Sequence, residues 1–248
     1  MPVHLSVIIP ARNEAKRLPG TLERVAAFLA DQAYEGDIWV VDSGSTDNTS
    51  AIAGEFPSGR VRIHVLREDR PGKGLAVRTG MLAAQGDYRF ICDADLSMPI
   101  EEVNRFIPPV LQGVDIAIAS REAPGAVRYG EPFHRHLVGR AFNFLVRLLA
   151  IPKIQDTQCG FKCFSASAAD DLFRRGTLDG WTFDVEILFV ALRRGWRIVE
   201  VPIPWTYHAG SRLSVIRDSV AMFFDLFRIR FNGLRGAYDR HPNPATKA

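Results

Sequence analysis

With 248 residues at 47% hydrophobic and 24% charged, the chain has the composition of an ordinary globular protein, which excludes the disordered, collagen-like and fibrous classes. Lys and Arg number 31 against 28 Asp and Glu, and the excess base lies late: residues 193–248 hold ten basic and four acidic side chains, net +6, leaving −3 for the first 192. Three cysteines, Cys92, Cys159 and Cys163, are too few for a disulfide framework and show no zinc-ligand spacing, and the pair Cys159 and Cys163 is expected to be two reduced core thiols.

In chain order, short β-branched runs alternate with longer helical periods, the pattern of parallel βαβ units. Strands are expected at Leu5–Ile9, Asp37–Val41, Val61–Leu66, Tyr88–Cys92 and Asp115–Ser120. Helices are expected between them at Leu18–Leu29, Asp47–Phe56, Gly74–Gln85 and Ile100–Leu111, the last started by Ser97 and Pro99. Four right-handed crossovers then build a doubly wound sheet. The second half offers a basic helix at His134–Leu149, a strand-like Cys159–Phe164 and a helix at Phe183–Arg194 closed by Gly195. An extended Ile198–Trp205 follows, held to a sheet edge by Pro202 and Pro204, then a final helix over Val215–Leu234 and a frayed His-Pro-Asn-Pro tail. No stretch reaches the ~20 apolar residues of a membrane-spanning helix. The first residues lack an export signal, so a cytoplasmic chain is expected.

Ligands of open parallel sheets sit beyond the carboxyl ends of the strands. Four polar segments fall there: Pro10-Ala-Arg-Asn-Glu14, Asp42-Ser-Gly-Ser-Thr-Asp47, Arg70-Pro-Gly-Lys-Gly74 and Asp93-Ala-Asp95. Asp93 and Asp95, two residues apart after a buried strand, can aim two hard oxygen ligands at one Mg²⁺ or Mn²⁺, which would bridge a diphosphate; the alternative is a polar turn capping a helix. Lys73 between two glycines suits a phosphate, and a solvated lysine in a plain turn is the alternative. Asp42 can accept from a base or ribose group, while Asp47 is expected to cap the next helix. The glycines match neither the P-loop nor the dinucleotide fingerprint, which disfavours ATPases and nicotinamide enzymes.

Those segments, read as Val7-Ile-Ile-Pro-Ala-Arg-Asn-Glu14, Val40-Val-Asp-Ser-Gly-Ser-Thr-Asp47, Arg70-Pro-Gly-Lys-Gly74 and Asp93-Ala-Asp-Leu-Ser97, resemble the successive motifs of the family 2 glycosyltransferases. The second half is similar to the dolichyl-phosphate β-glucosyltransferases through Asp156-Thr-Gln-Cys-Gly-Phe-Lys162, Trp181-Thr-Phe-Asp-Val-Glu-Ile187, Glu200-Val-Pro-Ile203 and Gly210-Ser-Arg-Leu213. The resemblance covers about residues 5–235. It implies an α/β fold of GT-A type: a Rossmann-like, mostly parallel sheet flanked by helices, with C-terminal amphipathic helices. It further implies a single catalytic domain in which residues 1–120 bind the nucleotide sugar, 121–235 bind the acceptor and 236–248 form a tail. The implied reaction is inverting transfer of a sugar, glucose from UDP-glucose above all, to a polyprenyl phosphate of dolichyl type, with Mg²⁺ or Mn²⁺.

On this resemblance Pro10, Arg12, Glu14, Asp42, Lys73, Asp93, Ala94 and Asp95 hold the nucleotide sugar. Asp93 and Asp95 hold the metal, and Arg121, Arg135 and Arg212 meet the acceptor phosphate. Asp156 and the pair Asp184/Glu186 are expected to organise the site from the second half; two residues apart on a helix, at most one of that pair is expected to point inward, and a helix-start role is the alternative for Asp184. A phosphate acceptor is already anionic, so cations and a metal are needed rather than a catalytic base. The second motif has Asp42-Ser43 where relatives often have two aspartates, and His208 stands where mannosyl-transferring relatives often have arginine, which favours glucose over GDP-mannose. A non-catalytic nucleotide-sugar-binding protein is the rival from another class.

Two stretches are amphipathic and basic. Over 134–149, His136, Arg140, Asn143 and Arg147 recur on one side and Leu137, Ala141, Phe144, Leu145 and Leu148 on the other. Over 215–234, Phe223, Phe224, Phe227 and Phe231 stand among Arg217, Arg228 and Arg230. Either these helices pack their apolar faces on the sheet or they lie in the surface of an anionic bilayer, making the protein a peripheral partner of the membrane's cytoplasmic face. No nucleic-acid-binding motif is present.

Overall fold

The computed structural model describes residues 3–57, 59–208 and 215–239. Strands β1 (Leu5–Ala11), β2 (Gly36–Ser43), β3 (Arg62–Glu68), β4 (Tyr88–Cys92) and β5 (Ile116–Ser120) form where the alternation predicts them. After a short β6 (Val127–Tyr129), β7 (Phe161–Ser165) and β8 (Ile198–Pro202) complete a seven-stranded sheet of order β3-β2-β1-β4-β7-β5-β8. Side chains alternate between two cores. Leu5, Val7 and Ile9 of β1 enter one and Ile8 the other, and Phe90 and Cys92 of β4 oppose Ile91 in the same way. This burial on both faces is why the strands read as continuous apolar runs.

One face is covered by α1 (Leu18–Ala30), α2 (Thr49–Glu55) and a 3₁₀ helix over Ile100–Arg105. The other carries α3 (Lys73–Ala83) and, beyond α4 (Phe133–Leu149), helices α5 (Ala166–Phe173), α6 (Phe183–Arg193) and α7 (Val215–Leu234). Progress from β1 through β2 to β3 runs one way across the sheet, and β4 returns to the opposite side of β1. The strand order therefore reverses between β1 and β4, the position at which such sheets open a ligand crevice.

Several expectations are corrected. The fourth crossover does not join neighbours, because β7 lies between β4 and β5 and runs antiparallel to both. The helix expected over Ile100–Leu111 is only the 3₁₀ turn, since Pro108 and Pro109 lack amide donors and disfavour helical geometry in the residue before them. Extended residues Ile198–Trp205 break at the prolines. β8 forms the sheet edge, and β9 (Pro204–Thr206) leaves to pair with β6. Helix α5 and strand β6 are too short to show a period. The three cysteines are buried and unpaired, and burial raises their thiol pKa values, so they behave as inert core groups.

Helices α4 and α7 pack against each other but turn much of their apolar side chain outward. Phe133, Leu137, Phe144 and Leu148 of α4 and Phe224, Phe227 and Phe231 of α7 are at least half exposed, while Val146, Leu226 and Ile229 face the core. Packing of the apolar faces on the sheet is thus excluded for these seven side chains. Exposed Arg140, Arg147, Arg228 and Arg230 stand among them. No helix among the described residues is long and apolar enough to cross a membrane. Arg212, the Gly210-Ser-Arg-Leu213 motif and the tail beyond residue 239 lie outside the described residues.

Candidate active site

The rim at the reversal point is built by turns that use their own side chains. Asn13, with φ of 52°, donates its amide to Ser45 Oγ at 2.8 Å and accepts from the Thr46 amide at 2.7 Å, tying the segment after β1 to the segment after β2. Asp47, expected to cap α2, stands one residue before the N-cap position, which is Asn48: its Oδ1 accepts from the Thr49 amide at 3.0 Å, and Thr49 Oγ1 receives the Glu14 amide at 2.8 Å. After β4, the Leu96 amide reaches Asp93 O at 3.2 Å and the Ser97 amide reaches Asp95 Oδ1 at 3.0 Å. Leu96 is held at φ 46°, a left-handed conformation costly for leucine and characteristic of functional turns.

Two cavities open over this rim. The first, about 570 Å³, is lined by Pro10, Arg12, Glu14, Lys73, Asp93, Ala94 and Asp95 from the sequence-predicted set, with Arg17, Ser43 and Trp181 beside them. Asp42 sits behind it, buried, with Oδ1 accepting from the Ser45 amide at 3.1 Å, so that Ser43 rather than Asp42 meets the space. The second cavity, about 320 Å³, is lined by Arg121 together with Arg128, Glu122, Glu131, His136, Asp184 and Trp205. Lys73, Asp93, Asp95 and Trp181 belong to both, so the two spaces meet at these four side chains.

Lys73 is not a solvated lysine. It opens α3 with its ammonium 2.7 Å from Asp93 Oδ1. Burial would lower its pKa, but Asp93, Asp184 and Asp95 outweigh that and raise it. Gly74 lets α3 approach the segment before α6, because a Cβ there would lie 2.5 Å from Leu178 O; its amide reaches Gly180 O at 3.2 Å.

Asp93 and Asp95 suit a hard divalent cation. They present carboxylates to one shared space, and Gly160 leaves the room that the Asp93 carboxylate occupies, since a Cβ at residue 160 would stand 1.9 Å from Asp93 Oδ2. Among the described residues no group of three His, Cys, Asp or Glu forms a metal cluster, so phosphate oxygens and water would have to complete the shell, as is usual for magnesium-type sites. Gly160→Ala is therefore expected to push Asp93 aside and lower turnover roughly 100-fold, the size of effect that a displacement of about 1 Å has in a preorganised site. The melting temperature should stay near that of the parent protein. Steady-state kinetics beside a thermal melt would check this.

Around the second cavity, Arg121 is gripped by Asp156. Its Nε and Nη2 lie 2.7 and 2.9 Å from the two carboxylate oxygens, and its amide lies 3.0 Å from Oδ2. Asp156 is fully buried; burial would raise its pKa, but the Arg121 charge and hydrogen bonds hold it down at about 2. Glu200 of β8 in turn accepts from the Gln155 and Asp156 amides, which fixes the loop that carries the carboxylate. Arg121 and Arg128 both lie over the Trp205 ring, 5.5 and 5.8 Å from its centroid. Arg128 is held by Glu122 and Glu131 and was missed by sequence reasoning, because nothing distinguishes one loop arginine from another before β6 pairs with β9. The backbone of Arg135 lies in the first turn of α4, but its side chain is outside the described residues.

The expectation that at most one of Asp184 and Glu186 points inward is corrected: both are buried, because α6 is enclosed on nearly every side. They face different neighbours. Asp184 lines the second cavity and pairs with buried Lys162 at 2.6 Å; burial raises its pKa, and the Lys162 and Lys73 charges offset this only in part. Glu186 accepts from the Thr177 amide and hydroxyl, the Leu178 amide and the Tyr238 hydroxyl.

Comparison with known proteins gives this rim its context. The chain is 34% identical over 251 residues to a dolichyl-phosphate beta-glucosyltransferase of Dictyostelium discoideum, covering 95% of this chain and 76% of that one. It is 34% identical over 250 residues to the dolichyl-phosphate beta-glucosyltransferase of Homo sapiens, covering 94% and 77%. The fold matches glucosyl-3-phosphoglycerate synthase of Mycobacterium tuberculosis, solved with Mn²⁺, UDP and glucosyl-3-phosphoglycerate, at a TM-score of 0.65 and 21% identity over 98% of this chain and 82% of that one. The sequence pattern described as Glycosyl transferase family 2 matches residues 6–173, from β1 to the end of α5. All four rim segments fall within that span, and the chain belongs to glycosyltransferase family 2, with the GT-A fold.

Proposed function

We propose that this glycosyltransferase transfers glucose from UDP-glucose to the phosphate of a dolichyl-type polyprenyl phosphate, inverting the anomeric carbon to give a β-linked lipid-phosphate sugar. The observation that carries the reading is the meeting of two cavities at Lys73, Asp93, Asp95 and Trp181. One has the acidic and glycine-bounded features that suit a nucleotide diphosphate, and the other the arginines that suit a phosphate acceptor. Relatives at 34% identity over nearly the whole chain carry the dolichyl-phosphate beta-glucosyltransferase name, which supports both donor sugar and acceptor. Residues 1–248 are read as one catalytic unit, with 1–120 serving the donor and 121–235 the acceptor; the insertion of β7 between β4 and β5 supports it.

In this reading Pro10, Arg12, Glu14 and Ser43 flank the nucleoside, and Asp42 acts from behind by holding the Ser45 turn. Asp93 and Asp95 would hold Mg²⁺ or Mn²⁺, as the Mn²⁺ in the mycobacterial synthase supports, and the bound cation would neutralise charge on the departing diphosphate. Lys73, raised in pKa and so fully charged, exchanges part of its ion pair with Asp93 for phosphate oxygen. Arg121 orients the acceptor phosphate, with Arg135 and Arg212 as its expected companions. The acceptor oxygen is already anionic, so no side chain has to take its proton.

The lipid tail must come from a surface. The outward phenylalanines and leucines of α4 and α7, set among exposed arginines, support peripheral docking on an anionic bilayer, beside the second cavity that α4 helps to line. Incubation with Mn²⁺ or Mg²⁺, short-chain polyprenyl phosphate and radiolabelled UDP- and GDP-sugars tests the reaction. Label from UDP-glucose should enter the organic phase. Label from GDP-mannose alone would overturn the donor assignment, and absence of lipid label from every donor would overturn the acceptor.

A further inference from the structure

We propose that Trp181 is a fixed wall beside the junction of the donor and acceptor spaces, a positioning residue that limits the access of water to the reacting sugar carbon while leaving the acceptor phosphate its place. This rests on the phosphate-transfer reading and adds to it a residue that decides between phosphate and water. Trp181 lines both cavities, and the Lys73 ammonium lies 5.4 Å from the centroid of its ring. The indole thus stands beside the group that pairs with Asp93, where donor diphosphate and acceptor would meet.

The segment that carries it is anchored at nearly every neighbouring residue. Thr177 and Leu178 donate three hydrogen bonds to the fully buried Glu186, at 2.8, 2.6 and 2.8 Å. The Asp179 carboxylate lies 2.6 Å from Arg78, and its carbonyl accepts from the Leu75 amide at 3.2 Å. Gly180 O accepts from the Gly74 amide, and Thr182 Oγ1 donates to Asp225 of α7 at 2.8 Å. Glu186 also receives the Tyr238 hydroxyl, so a buried carboxylate that the transfer reaction does not use spends four hydrogen bonds on this segment and the chain after α7. A loop bound this tightly on both sides of one large, mostly buried aromatic fixes the backbone that carries the ring, and the Lys73 ammonium lies against its face.

A glycosyl donor can react with water as well as with phosphate. In hydrolysis a water oxygen bonds to the anomeric carbon, the bond to the diphosphate oxygen breaks, and the water proton passes to solvent, yielding free sugar. An aromatic wall fixed beside this junction reduces the space in which such a water would sit.

The test measures free glucose against lipid-linked glucose in one reaction, using the full chain with Mn²⁺, UDP-[¹⁴C]glucose and short-chain dolichyl phosphate. Trp181→Ala is expected to raise the hydrolysis-to-transfer ratio at least about tenfold, because a positioned acceptor loses part of its advantage over water. Trp181→Phe, which keeps an aromatic cover, should stay within about threefold of the parent. An unchanged ratio in Trp181→Ala, with both products falling together, or a Phe variant indistinguishable from the Ala variant, would overturn the proposal. A parent protein that labels no lipid would instead overturn the acceptor reading; the wall would still be judged from hydrolysis without acceptor, which Trp181→Ala should accelerate and which would count against it if unchanged.

Discussion

Asp95→Ala is expected to lower divalent-dependent turnover by roughly 1000-fold, since loss of charge stabilisation worth several kcal/mol at a leaving diphosphate corresponds to that factor. The fold should survive. Asp95 lines the open cavity and accepts one local hydrogen bond, from the amide of the buried Ser97, so its removal costs one turn hydrogen bond and leaves no buried charge unpaired by it. Asp93→Ala should match it in activity and differ in one respect. Asp93 is paired with Lys73 at 2.7 Å, so its loss also leaves an enclosed ammonium short of one counter-charge. Titration of activity against Mn²⁺ beside circular dichroism checks both. An Asp95→Ala protein that turns over normally at the parent metal concentration would remove the metal role from this turn.

The largest effect on stability is expected at Asp156. Asp156→Asn keeps the shape but withdraws the charge that faces Arg121 from a fully buried position. Breaking such pairs costs about 3–5 kcal/mol, with the lower end apt here because the Arg121 side chain is 20% exposed. At this chain length that is a fall in melting temperature of about 10 °C. The pH dependence has a definite sign. The folded-state pKa of Asp156 is about 2, below its ordinary 3.8, so the contribution is fully present above pH ~4 and is lost as pH falls from there through ~2. It amounts to about 2 kcal/mol, so the gap in unfolding free energy between the parent protein and Asp156→Asn should narrow on acidification. Denaturant melts at pH 7 and pH 3 measure it; a gap that is constant or widens toward acid would contradict the assignment.

Much of the first half was legible because its chemistry is local. Asp93 and Asp95 follow a buried strand directly, and Lys73 lies within a five-residue segment, so motif and position coincide. The second half resisted for a physical reason: its site residues are brought in by long-range pairings that leave no period in the sequence. β7 reads as a strand from its apolar run, but nothing local states that it will run antiparallel between β4 and β5. Asp156 stands out only as part of a motif; its grip on Arg121 depends on Glu200, 44 residues later. Trp181 was visible within a motif without a role, since its role arises from where two cavities meet. Asp42 was read as a ligand because it ends a strand, and the structure adds that one of its oxygens also accepts from the Ser45 amide of its own turn. The amphipathic helices were recognised, but which side faces out is decided by what packs beneath them, and periodicity alone does not show this.

The insertion of β7 also governs synthesis. Until Phe161–Ser165 leaves the ribosome, β4 and β5 each have a hydrogen-bonding edge with no neighbour to fill it. A nascent chain shorter than this carries two apolar edge strands, Tyr88–Cys92 and Ile116–Ser120, free to pair with other chains. More than forty residues must be made after β5 before β7 can fill the gap between it and β4, so this interval is a window in which chaperone cover matters, and a chain that stops before Phe161 is expected to aggregate rather than fold to a smaller domain.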